Sequence, residues 1–273
     1  MTPANEPSRG ATWLSALTAN APLAEGYPAT VQVVDATLAG EPARYIAVVP
    51  DPDNRFPRVR NGEVGLIEGW ELARAVREIV AADADRRTKR AIVAVVDVAS
   101  QAYGRREEAY GIHQALAGAA GAYADARLAG HPVIGLIVGR AMSGALLAHG
   151  YQANRLIALD DADVMVHAMG KAAAARVTLR SVEELEALAA KIPPMAYDVG
   201  SFATLGLLWR LLRVERPDAP SSADLDRVDT CLVEALADIR ADARRDLSGR
   251  LQQAPRQMSK RVRERLRADW REG

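Results

Sequence analysis

The apolar positions change period along the chain, and each change marks an element. From Thr30, the run TVQVVDATLAGEPARYIAVVP holds two stretches rich in β-branched residues around a turn-forming break at Ala39 to Pro42, which predicts a β-hairpin. Next, IEGWELARAVREIVAA places Trp70, Ala73, Val76 and Val80 three and four residues apart. That is the repeat of an amphipathic helix lying on a sheet, with Gly65 and Gly69 marking a loose start. Residues 91–98, AIVAVVDV, are apolar almost without interruption up to a carboxylate, the pattern of a strand buried on both faces. A polar loop holding Gly104 and Gly111 follows, then the helical IHQALAGAAGAYADARLAG and a second apolar run, HPVIGLIVG. Strand, helix, strand in this order is a parallel crossover unit. The unit repeats: GRAMSGALLAHGYQ supplies small residues for a sharp strand-to-helix turn, and RLIALDDADVMVH reads as a further strand with a turn at Asp160 to Asp163.

Downstream, Ser181 and Glu184 form an S-x-x-E capping box that opens a short helix, and Pro193 and Pro194 stop it. Residues 195–214 read as largely helical. Leu225, Val228, Leu232, Leu236 and Ile239 form the apolar stripe of a later helix, with Cys231 on its packed side. The expected organisation is an N-terminal arm over 1–28, one α/β domain over 29–250 and a basic, frayed tail over 251–273.

Composition narrows the functions. Lys plus Arg equals Asp plus Glu at 35 each, so no global field draws nucleic acid or an anionic membrane, and neither is expected as a partner. One cysteine allows no internal disulfide, and no Cys/His cluster has zinc spacing, so no metal is expected. MTPANEPSRG lacks the order of an export signal, and no apolar window is long enough to span a bilayer. A cytoplasmic location is therefore expected.

The chemistry gathers at the two strand ends, Asp97 and Gly139. Ligands of α/β sheets sit beyond the carboxyl ends of strands, and a small-residue turn into a helix presents free backbone N–H groups. Two such donors aimed at one oxygen stabilise a thioester enolate, and Gly144 beside Ala145 suits that task. Small residues there equally permit tight helix packing. The four histidines fall on separate elements. His149 points away from the turn, while His167 and Lys171 are candidate pocket residues, and packing is the expected role of Tyr110.

The stretch VVDVASQAYGRREEAYGIHQALAGAAGAYADARLAGHPVIGLIVGRAMSGALLAHG resembles the carboxyltransferase alpha subunit of bacterial acetyl-CoA carboxylase and, more distantly, crotonases. The family's first loop reads D-T-P-G-x-x-P-G. Here DVASQAYG keeps Asp97 and Gly104, while Ala99 and Ser100 replace the proline and the first glycine. The second loop retains Gly139, Ser143, Gly144 and Gly150 but departs at Arg140, Ala141, Met142 and Ala145, and Met169 stands where carboxyltransferases carry a glutamate. With the phrases VVPDPDNRFPRVRNGEVGLIEGWELARAV and LIALDDADVMVHAMGKAAAARVT, these departures resemble malonate decarboxylase gamma subunits over residues 30–215.

That resemblance implies an α/β, crotonase-like ββα spiral, as in carboxyltransferase domains. It implies three protein partners: a beta subunit of related fold, an acyl carrier protein and an acyl carrier protein transferase. The substrate is a malonyl thioester on the carrier's phosphoribosyl-dephospho-CoA prosthetic group, and this chain itself holds no cofactor tightly. Gly144 and the amides near Ser100 and Gln101 are the implied oxyanion donors. Tyr103, Gly104, Gly139, Arg140, Ala141, Met142, Ser143 and Ala145 are the implied substrate-lining residues. The basic tail is a candidate dock for the carrier. Two other classes stand beside this one. One is a self-sufficient crotonase-like acyl-CoA hydratase or isomerase, against which counts the lack of a glutamate after the glycine turn; the other is a structural partner without chemistry.

Overall fold

The computed structural model describes residues 7–244, 246–251 and 256–271; the outermost parts of the expected arm and tail, 1–6, 252–255 and 272–273, lie outside the described residues. Strands β1 (Val31–Leu38) and β2 (Glu41–Val48) form the hairpin in unbroken antiparallel register from Val31 opposite Val48 to Leu38 opposite Glu41. Its turn is two residues, shorter than the break expected. Ala39 and Gly40 both take left-handed φ, 54° and 74°, the conformation whose twist matches two right-twisted strands.

Beyond the hairpin the described strands pair in parallel, with one isolated antiparallel bridge between Met165 and Asp198. β3 (Ala91–Val98) lies against β2, β4 (Val133–Met142) against β3, β5 (Arg155–Leu159) against β4 and β7 (Arg210–Leu212) against β5. The two-residue β6 (Val166–His167) pairs with the far end of β4. All eight residues of β3 are buried, as the unbroken apolar run requires. Helices α2 (Leu66–Ala82) and α4 (Ile112–Leu128) cross over between strands and pack on one another. Their approach is close because Gly69 faces the Ala115 backbone, where a Cβ would come within 2.9 Å, and Gly118 leaves room for the Trp70 ring. Gly69 is thus a helix-contact glycine and not a loose start, and the phase of α2 also differs from expectation. Leu72, Ala73, Ala75, Val76 and Ile79 point into the core, while Trp70 is half exposed over α4.

The described part of the expected N-terminal arm anchors on the core through one helix. Helix α1 (Arg9–Leu17), capped by Ser8, buries Trp13 and Leu14 completely, and the Trp13 indole donates to the Pro217 carbonyl at 2.8 Å. Nine residues are too few for periodicity to announce a helix. Residues 195–214 are not largely helical either: a turn at 193–195 leads into α8 (Val199–Thr204) and then β7, segments of six and three residues that carry no readable period. The remaining helices are α3 (Arg105–Ala109), α5 (Ser143–Ala148), α6 (Lys171–Val177), the capping-box helix α7 (Val182–Ala189), α9 (Ser222–Ala241) and α10 (Gln257–Arg271). In α9 the expected stripe is buried at Val228, Leu232, Leu236 and Ile239, with Cys231 among them. The described part of the tail is mainly one helix. α10 is helical throughout, and none of its residues is buried.

Candidate functional site

Two loops meet beyond the carboxyl ends of β3 and β4. The first, 99–104, is laced to the segment before α2: Ala99 N–H donates to Gly62 O, Val64 N–H to Ser100 O and Ala102 N–H to Val64 O, each within 3.1 Å. At its root the buried Asp97 carboxylate accepts the Arg140 N–H at 3.1 Å and the Gly10 N–H at 3.3 Å. Gly139 is the residue this contact demands, since a Cβ there would lie 2.4 Å from Asp97 Oδ1. Asp97 therefore ties β3, β4 and α1 together at the base of the site. The contribution of Gly10 was invisible in the sequence, because α1 gave no periodic signal.

The second loop is the turn from β4 into α5. Ser143 sits there with φ 58°, a left-handed conformation that costs a non-glycine residue on the order of 1 kcal/mol and is held by β6 pairing behind and α5 ahead. The turn aims the next peptide at the first loop. Gly144 N–H donates to Gln101 Oε1 at 3.1 Å, and Tyr103 Oη donates to Ser143 Oγ at 3.0 Å. Ser100 Oγ donates to the Gln101 carbonyl at 2.7 Å, and no acceptor is found for the Ser100 and Gln101 N–H groups among the described residues. A Cβ on residue 144 would fall 2.2 Å from Gln101 Oε1 and 3.2 Å from Leu116 Cδ1. A seated oxygen and a side chain at 144 thus exclude one another.

Of the candidate residues, the structure brings Ser100, Gln101, Tyr103, Ser143 and Gly144 together. Arg140 stands at the edge, its guanidinium 3.8 Å from Asp97 and 3.4 Å from the Asn61 carbonyl. Gly104 serves elsewhere: it precedes α3, where a Cβ would strike Glu107 and Arg58. Ala141 and Ala145 turn their side chains wholly into the interior, and Met142 packs with Ala174, Leu185 and Tyr197 in a second small core. The side chains of Ala141 and Ala145 join the main core and that of Met142 the second. His167 and Lys171 lie beside this second core, Lys171 exposed. The His167 ring stacks on Tyr197 at 3.9 Å and its Nδ1 bonds the Met169 backbone, while Lys171 pairs with Glu186 at 2.7 Å.

His149 closes α5 from below. It is fully buried, Nε2 donating to Val95 O and Nδ1 accepting from the Tyr123 hydroxyl, both at 3.0 Å, and burial pushes its pKa down to about 4. A neutral ring so engaged is structural. Outward, the site is open: Tyr103 and Leu147 are each about half exposed. Among the described residues, no His, Cys, Asp and Glu group could hold a metal, and no helix is long and apolar enough to cross a membrane.

A twisted, mostly parallel sheet that ends in backbone donors beside a glycine-bearing strand-to-helix turn defines the crotonase-like fold of carboxyltransferase type. Within that class the family is fixed by comparison. The model of the malonate decarboxylase gamma subunit matches residues 59–270, and the chain belongs to that family. A Pseudomonas malonate decarboxylase hetero-tetramer in complex with coenzyme A contains a chain 68% identical, with a TM-score of 0.93 over 96% of this chain and 100% of that one. The Pseudomonas MdcD-MdcE hetero-dimer gives 66% identity and a TM-score of 0.89 at the same coverages. The malonyl-S-ACP:biotin-protein carboxyltransferase MADD of Malonomonas rubra is 33% identical over 191 residues, which span 69% of this chain and 62% of that relative's length.

Proposed function

We propose that this chain forms half of a decarboxylating active site, completed by a beta subunit of related fold, and that the site converts a malonyl thioester on an acyl carrier protein to the acetyl thioester and carbon dioxide. The observation that carries this reading is the seat on Gly144: its N–H already holds a carbonyl oxygen, that of Gln101, at 3.1 Å. The carboxamide oxygen stands in for a substrate oxygen, and displacing it opens a donor next to the Ser100 and Gln101 amides.

Decarboxylation asks little covalent help. The C–C bond to the carboxylate must lie perpendicular to the thioester plane, the electron pair it releases must be held as an enolate, and the carbanion must then gain a proton. In this reading the beta subunit holds the thioester carbonyl and the prosthetic arm of the carrier, while the amides of this chain position the departing carboxylate. Neutral amides suit that task better than a free cation, which would bind the carboxylate ground state tightly and slow its loss. Arg140 fits the same logic, because Asp97 and the Asn61 carbonyl already occupy it. The half-exposed Tyr103 and Leu147 leave room on the outer side for the second chain this reading requires. Related chains assemble in this way: the Pseudomonas relative is a hetero-dimer of MdcD and MdcE.

The test is carbon dioxide release from a malonyl-thioester carrier by this chain alone, by its beta subunit alone and by the two together. Turnover is expected only from the mixture, and Gly144→Val should abolish it while leaving assembly intact. Hydration of enoyl-CoA by the lone chain would establish the crotonase-like enzyme instead. Full turnover with Gly144→Val would leave this chain a structural partner.

A further inference from the structure

Arg9 opens α1 beside the carboxyl ends of β3 and β4, and its side chain is only 10% exposed. Three carboxylates meet its guanidinium: Nε donates to Asp218 Oδ1 at 2.5 Å, Nη1 to Asp161 Oδ1 at 2.6 Å and Nη2 to Asp163 Oδ2 at 3.3 Å. Nη1 also donates to the Val138 carbonyl at 3.4 Å. A planar fork with fixed N–H directions can serve these acceptors at once, which an ammonium on a flexible stem cannot. The acceptors lie on the two supports of the Ser143 turn. Val138 precedes Gly139 and Arg140 on β4, and the next residue of α1, Gly10, reaches the same stretch through Asp97, whose carboxylate takes both the Gly10 and the Arg140 N–H. Asp161 and Asp163 stand in the turn from β5 to β6, and β6 pairs with β4 at Ala141 and Met142, directly before Ser143. One guanidinium therefore spans the exit of β4 and the entry to the strand beside it. A residue in a left-handed conformation, such as Ser143 at φ 58°, persists where its surroundings over-determine it, and Arg9 fixes both of those surroundings.

We infer that Arg9 is a positioning residue of the site: by bracing β4 against the turn between β5 and β6 it fixes the Ser143 backbone, and with it the direction of the Gly144 N–H. The inference rests on the reading of that N–H as an oxyanion donor and adds what aims it. Arg9 bonds no residue of the two loops that hold the donors, so it acts through the strands alone. Preorganised donors stabilise a transition state only while their geometry is held, so a loosened brace slows turnover without weakening substrate binding. Without the guanidinium the three carboxylates also repel one another, which drives the turn away from α1.

Steady-state carbon dioxide release by the full chain with its beta subunit, measured for Arg9→Gln and Arg9→Lys, tests it. Both substitutions should lower kcat by about tenfold or more while KM for the malonyl-thioester carrier stays within about twofold. Asp161→Asn keeps an acceptor and removes a charge; it should lower kcat by about threefold, and it decides the matter where the Arg9 variants do not fold. Trp13→Phe is the control for stability alone: it loses the indole bond to Pro217 and should lower the melting temperature with kcat unchanged. Hydrogen–deuterium exchange over residues 139–147 of the isolated chain reads the brace without the reaction, and it should quicken by about tenfold in Arg9→Gln and not in Trp13→Phe. An equal loss of kcat in Trp13→Phe, full activity in Arg9→Lys, or unchanged exchange over 139–147 in Arg9→Gln overturns the role. If the wild-type subunits together release no carbon dioxide, the decarboxylation reading falls, and the exchange measurement still decides for or against Arg9.

Discussion

At the scale of single residues, the site turns on two atoms competing for one space. An oxygen on the Gly144 N–H lies where a Cβ of residue 144 would be, 2.2 Å from it, so alanine there displaces Gln101 at rest and any substrate oxygen afterwards. Gly144→Ala should cost about 1 kcal/mol of stability, because the crowded atom ends a flexible side chain. Adding Gln101→Ala should restore the melting temperature without restoring carbon dioxide release by the assembled complex. Recovery of both would reduce Gly144 to a packing residue. Much of this was legible in the sequence, since a small residue at a strand-to-helix turn is a local signal. The Gln101 plug was not: it depends on a side chain 43 positions away reaching across two loops. The inward turn of Ala141, Met142 and Ala145 escaped notice for a related reason, because a run of small residues does not reveal which of them face the interior.

At the scale of elements, α5 is held from beneath by a histidine that must stay neutral. Protonated His149 would donate from both nitrogens, and the Tyr123 hydroxyl would lose its acceptor. With a folded pKa of about 4 against 6.5 in the unfolded chain, the unfolded state takes up the proton first as pH falls. The stabilisation is therefore complete above pH 6.5 and is lost progressively toward pH 4, by on the order of 3 kcal/mol. His131 and His167, also held low by burial, add to the loss with the same sign. Asp83, Asp161 and Asp224, held below the usual carboxylate value of 3.8, act only at lower pH. Urea midpoints compared at about pH 7.5 and about pH 5 should fall steeply for the wild type and less steeply for His149→Gln. An equal slope in the two proteins would remove His149 from this role. Long elements such as β3 and α9 announced themselves by period, while α1, α8 and β7 did not. Their three to nine residues are fixed by contacts such as Trp13 with Pro217, which no local pattern encodes.

At the scale of the whole molecule, the buried core is carried by the body of the chain and not by its last helix. The main core runs from Trp13 on α1 through the sheet to Ile239 on α9, and no residue of α10 joins it. Removing a segment that buries nothing leaves the folded body's contacts as they were, so deletion of residues 257–271 should move the melting temperature by less than about 2 °C. The same deletion takes away a net charge of +4 and should shift the isoelectric point well below the 6.9 of the full chain. A drop of about 10 °C or more would instead mean that α10 packs on its own body in solution and contributes to its stability. The two outcomes separate because Met258, Val262, Leu266 and Trp270 of α10 are exposed on this chain, and packing them on its own body would add buried apolar area to the isolated subunit.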